Sequence, residues 1–145
     1  MGKSAYETDF YGWANEQAAL LRSGRLSAAD IEHIAEEIES MGKSEKGELI
    51  SRLTVLLTHL LRWRYQPAGR SSSWSATIKV QRHGLARHLD DNPSLKPLLP
   101  KALEDAYQDA LIVAADETKL GESAFPSVCD WTPATVLDPE FWPEA

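Results

Sequence analysis

Between Leu49 and Leu89 the chain has no aspartate or glutamate, although 22 of its 145 residues are acidic. Over the same stretch Arg52, Arg62, Arg64, Arg70, Lys79, Arg82 and Arg87 supply seven cations, so the segment stands at +7. The other eight of the 15 Lys and Arg residues face all 22 acids outside it, a balance of −14 within a total of −7. An acidic total argues against a protein of nucleic acid or anionic membranes, whose surfaces are basic. Cysteine is nearly missing. Cys129 alone excludes an intrachain disulfide and a multi-thiolate metal site, and it lies in a proline-rich segment with no histidine nearby, which argues against thiol catalysis. No apolar run approaches the ~18 residues that span a bilayer. The opening MGKSAYETDF lacks the apolar stretch of a signal peptide, so a cytoplasmic protein is expected. Strand alternation, internal repeats and low-complexity stretches are also lacking.

What is present is helical periodicity. A hydrophobic content of 43% and a length of 145 residues suit one domain with one core. The expectation is a single all-α domain: a bundle of about five helices over residues 6–120, with an aromatic, proline-rich arm over 121–145 packed on it. A first helix starts near Asp9, gathers Phe10, Trp13, Ala14, Gln17, Leu20 and Leu21 on one side, and ends before Gly24 in a left-handed cap. A second opens at Ser27 and Asp30, turns Ile31, Ile34, Ala35, Ile38 and Met41 inward, and stops at Gly42. A third, about 44–66, is the most apolar and central, with Leu49, Leu53, Leu56, Leu60 and Trp63 at spacings of four and three until Pro67 ends it. A fourth, about 73–89, points Trp74, Ile78, Leu85 and Leu89 inward. A fifth buries Ala102, Leu103, Ala106, Tyr107, Ala110 and Ala114 and is stopped by Gly121. The last 24 residues hold four prolines but also Phe125, Trp131, Phe141 and Trp142, too aromatic for a solvated linker; short turns at TPAT and DPEF are expected there.

The blocks YETDFYGWANEQAALLRSG, IAEEIESMGKSE, LLTHLLRWRYQP, RSSSWSATIKVQR, NPSLKP, FPSVCDW and LDPEFWP, in this order, resemble a bacterial family known as domain of unknown function twenty-nine. The resemblance runs from about Tyr6 to Pro143 and implies a small helical single-domain bacterial protein. It implies no substrate, cofactor or catalytic residue.

Polar side chains on apolar faces are the remaining functional clue, because burying one without a partner costs about 1–3 kcal/mol. Arg64 projects at the middle of the Leu53/Leu57/Leu60 arc, where it finds a carboxylate or escapes at the helix end. His59 flanks the same helix. Gln81 falls between Trp74 and Leu85, with Arg82 and His88 at the borders of that face; a buried Gln commonly fixes register by bonding to a neighbouring helix. Glu37 and Glu39 flank the second helix's apolar arc and Glu36 points away, which suggests an intramolecular clasp of these carboxylates on Arg52, Arg64 or Arg82.

A bundled-helix metal site needs a Glu-x-x-His repeat on two helices. The nearest match is Asp30-x-x-His33, once only and with His33 on the expected solvent side, so neither metal nor cofactor is expected. There is no P-loop, G-x-S-x-G or His-Glu-x-x-His. The favoured reading is a non-enzymatic interaction or regulatory module that recognises another protein or its own copy, with Arg62, Tyr65 and Arg70 forming a polar and aromatic rim. Ile112, opposite the fifth helix's core face, is a further apolar contact point or lies under the arm. An enzyme with a polar pocket converging on His59, Arg64, Gln81 and Arg82 stands as one alternative. A nucleic-acid-binding protein using the basic segment 49–89, where Arg62-Trp63-Arg64-Tyr65 interleaves cations and rings, stands as another.

Overall fold

A computed structural model describes residues 4–144, so the first three residues of the opening decapeptide lie outside it. The chain forms α1 (Ala5–Thr8), α2 (Phe10–Arg22), α3 (Ile31–Tyr65), α4 (Ser72–Asp91), α5 (Leu99–Thr118) and α6 (Pro133–Leu137). Tight 3-10 turns occupy Leu26–Ala28, Pro67–Gly69, Pro93–Leu98 and Glu122–Ala124. No strand occurs among the described residues, and the fold is all-α. No helix among them is long and apolar enough to cross a membrane. The chain divides into two compact units, Met1–Ser44 and Glu45–Ala145, with the division falling inside α3.

The expected second and third helices are one. Gly42 does not stop α3, and Gly47 is helical as well. A glycine costs a helix only about 1 kcal/mol relative to alanine. No proline follows to remove a donor, and the surrounding Lys and Glu residues are good helix formers.

In the C-terminal unit the core draws on α3, α4, α5, the arm and the Pro93–Leu98 turn, which supplies Leu95. Leu49, Leu53, Leu56, Leu57, Leu60 and Leu61 come from α3, and Ile78, Leu85 and Leu89 from α4. From α5 come Leu103, Tyr107, Leu111 and the alanines 102, 106, 110, 114 and 115, whose small side chains let neighbouring helices approach closely. The arm adds Phe125 and Val136. Ser71 caps α4 by accepting from the Trp74 N–H at 3.2 Å. Helix α5 ends two residues earlier than Gly121: Lys119 takes the left-handed position with φ 62°, and Gly121 follows at φ 84°. The arm behaves as its composition predicts. Phe125 meets Tyr65 edge-on at 5.0 Å, Trp142 packs on Trp63 at 4.8 Å, and Trp131 packs on Phe141 at 5.6 Å. The TPAT turn is the start of α6, capped by Thr132 with Pro133 in its first turn.

In the N-terminal unit, Asp9 caps α2 by accepting from the Gly12 N–H at 3.1 Å, and a Cβ at Gly12 would collide with that carboxylate. Gly24 takes the expected left-handed conformation at φ 74°. The expected inward face of α3's first turns is overturned. Ile31, Ile38 and Met41 are 53%, 64% and 67% exposed, and only Trp13 and Gln17 are buried among the described residues of this unit. The reason lies in which side of the helix meets α1 and α2, as the contacts below make plain.

Candidate functional site

The basic candidates of the C-terminal unit each hold a different partner. Arg62 places Nη1 2.6 Å from Glu117 Oε2 on α5 while its guanidinium lies 4.2 Å over the Trp74 ring. Arg64 is 3.9 Å from Asp130 and 5.1 Å over Tyr65, in the last turn of α3 where a cation favours the helix dipole. Arg70 donates from Nε to the Trp63 carbonyl at 2.7 Å and from Nη2 to that of Pro143 at 3.4 Å. Arg82 is only 4% exposed; it donates from Nε to the Val136 carbonyl at 3.0 Å and from Nη2 to the Phe141 carbonyl at 2.8 Å. Burial holds its pKa below the ordinary arginine value, and Nη1 is buried without a hydrogen bond. Gln81 accepts from Arg52 Nη1 at 3.3 Å, a link between α4 and α3 of the register-fixing kind expected of it. His59 donates back to the Val55 carbonyl at 2.9 Å along its own helix. Within the C-terminal unit the carboxylates that reach Arg52, Arg62 and Arg64 are Glu48, Glu117 and Asp130.

Sequence reasoning missed how deep His88 sits. It is 6% exposed, with Nε2 2.8 Å from the Glu45 carbonyl and Nδ1 2.8 Å from Glu48 Oε2. Beside it a cleft of about 250 Å³ is lined by Glu48, Arg52, Gly84, Arg87, His88 and Asp91. A Cβ at Gly84 would meet the Arg52 guanidinium, which would have to shift aside. A larger groove of about 460 Å³ runs between α5 and the arm, with Leu103, Tyr107, Val128, Cys129 and Trp131 on its walls and Lys101, Glu104 and Asp105 at its edge. Burial pushes the Cys129 thiol up, which keeps it protonated and a poor nucleophile.

Another polar constellation lies in the N-terminal unit, around the Asp30-x-x-His33 pair that sequence alone weighed only as a metal motif. Asp30 Oδ2 accepts from Trp13 Nε1 at 3.0 Å and from His33 Nδ1 at 2.7 Å, and the Asp30 N–H donates to Gln17 Oε1 at 2.6 Å. The Tyr6 hydroxyl donates to Glu37, and its ring stacks on His33 at 4.0 Å and 18°. His33 is therefore part of this contact and not on the solvent side as expected. The hydrogen bond from His33, then that from Trp13, holds the Asp30 carboxyl below its ordinary range; the Asp30 bond raises His33 in turn. Tyr6 is pushed up to about 12, chiefly by its bond to Glu37.

This arrangement decides which face of α3 is covered. At 100° per residue Asp30, His33 and Glu37 share the side that meets α1 and α2. Ile31, Ile34, Ile38 and Met41 form an adjacent stripe left open by the described residues: Ile34 is half-buried and the other three are exposed. From Ile38 to Glu48 every residue is exposed, and from Asp30 to Gly42 there is no Lys or Arg.

No curated protein and no solved structure matches the chain. One family model does match, over residues 5–142, nearly the whole length. The chain belongs to the family described as Domain of unknown function DUF29.

Proposed function

We propose that this chain is a non-enzymatic protein-interaction module and that its recognition element is the N-terminal part of α3. The observation that carries the reading is the uncovered stripe of Ile31, Ile34, Ile38 and Met41, spaced three, four and three apart on a helix whose polar side faces α1 and α2. Helix-in-groove and helix-on-helix recognition use anchors at this spacing. A unit of about 40 residues with so little buried apolar surface is completed by something that covers it. In this reading Arg62, Arg64, Tyr65, Arg70 and Arg82 hold α5 and the arm in place instead of meeting a partner. An enzyme with a pocket converging on His59, Arg64, Gln81 and Arg82 is less well supported, because each already serves a separate intramolecular bond. Nucleic-acid binding through 49–89 is less well supported because Trp63 packs on Trp142 and Trp74 lies under Arg62. A cytoplasmic setting belongs to the same reading, on the strength of the single cysteine.

The test is a photoreactive amino acid placed at position 38 in the native cell, with position 76 on the exposed side of α4 as control. A discrete cross-linked protein adduct from position 38 alone is expected. Equal or absent adducts at the two positions would remove the reading.

A further inference from the structure

We infer that the partner for this surface is a basic amphipathic helix of another protein; the inference rests on the interaction reading above. The geometry of the stripe comes first. Ten residues separate Ile31 from Met41, so at ~1.5 Å per residue the seam is ~15 Å long, room for about three turns of a second helix. Ala35 and Gly42 border the stripe one heptad apart, and their small side chains permit a close approach along that edge.

The charges select among the occupants. Glu32 and Glu39 are exposed beyond one edge of the stripe, Asp30 and Glu37 beyond the other are held by His33, Trp13 and Tyr6, and no cation lies between Asp30 and Gly42. Two copies of this face would bring together two segments that each carry acids and no cation between Asp30 and Gly42, a like-charge encounter that disfavours pairing. The chain's own acid-free α4 does not match as donor from a second copy, because its outward face offers Val80 as its sole exposed large apolar side chain and so no second ridge. A helix with apolar side chains at alternating spacings of three and four, flanked by Lys or Arg, satisfies both the seam and its rims. The rim charges would steer encounter and choose the partner, while Ile38 and Met41 would supply the apolar contact.

The test uses two synthetic peptides of about three heptads with Leu at the seam positions, one carrying Lys and one Glu at the flanks. Binding to the full chain is followed by fluorescence anisotropy at low and high salt. The expected result is saturable one-to-one binding of the Lys peptide that weakens with salt, and no binding of the Glu peptide. The double substitution Ile38→Ser with Met41→Ser should weaken the Lys peptide ~10-fold or more, and Glu32→Gln with Glu39→Gln should flatten the salt dependence. Circular dichroism melts of these exposed-site variants should match the parent. The inference is overturned if the Lys peptide does not bind, if it binds the serine variant equally, if the Glu peptide binds as well, or if sedimentation finds a dimer that the serine variant abolishes. Failure with the peptides alongside a position-38 adduct overturns the partner's chemistry alone. Failure of both removes the interaction reading too.

Discussion

Arg82 carries a guanidinium 54 and 59 residues upstream of the two carbonyls it binds, those of Val136 and Phe141. One planar fork thus ties the end of α6 and the following turn to α4. A lysine there keeps the charge but has neither the fork nor the reach to bind both carbonyls. Arg82→Lys should therefore cost about 2 kcal/mol, read as a lower urea midpoint with unchanged slope; an unchanged midpoint would mean the clamp contributes nothing. The other residue-scale device is the Asp30–His33 pair. Asp30's lowered pKa means that its stabilisation is present above the ordinary carboxylate value and is lost as pH falls through the lowered one. His33's raised pKa means that its contribution is full below the ordinary histidine value and is lost as pH rises through the raised one. The network with Tyr6, Trp13, Glu7 and Glu36 around it is firmest between those limits. An NMR titration should place His33 above ~6.5, with Asp30→Asn bringing it down. A His33 that titrates lower in the parent would contradict the geometry. Neither device was legible beforehand, because backbone carbonyls in a distant arm and a tyrosine on a separate short helix leave no spacing pattern.

Helix α3 is the element on which expectation and structure part most clearly. Its second half was legible: leucines at spacings of three and four with no acid among them have few alternatives to a buried face. Its first half has the same apolar spacing, yet there Asp30, His33 and Glu37 make the contacts and the isoleucines stay exposed. Periodicity identifies a stripe but not what covers it. The continuity of the helix is testable at its glycines. A Cβ at Gly42 or Gly47 meets nothing within 4 Å, so Gly42→Ala and Gly47→Ala should each stabilise the chain by about 0.5–1 kcal/mol in urea unfolding. Loss of stability in either variant would mean that the helix is interrupted there, as Gly42 alone suggests when read as a stop.

At the scale of the molecule, the +7 segment and the acidic remainder are related through assembly of the C-terminal unit. Arg62 meets Glu117, Arg64 meets Asp130, and Arg70 and Arg82 hold carbonyls of the arm. That the basic segment serves packing could be read from its leucines and tryptophans; which acids it meets could not. Deleting the residues after Leu137 would strip Trp142 from Trp63 and leave Arg70 and Arg82 short of acceptors. The loss should be about 4 kcal/mol in urea unfolding, from two aromatic side chains and two charged hydrogen bonds, the one from Arg70 long, and a change under ~1 kcal/mol would show the arm to be ornamental. The central claim, that the apolar stripe of α3 is open and takes a basic helix, is tested most directly by isoleucine-methyl NMR of the full chain with a soluble paramagnetic gadolinium chelate. Ile31, Ile38 and Ile112 should broaden strongly and Ile78 should not, following their exposures of 53%, 64%, 56% and 0%. Adding the Lys-flanked peptide should then protect Ile31 and Ile38 while Ile112 stays broadened. An Ile38 methyl as protected as Ile78 in the free chain, or a peptide that leaves Ile31 and Ile38 broadened, would contradict the account.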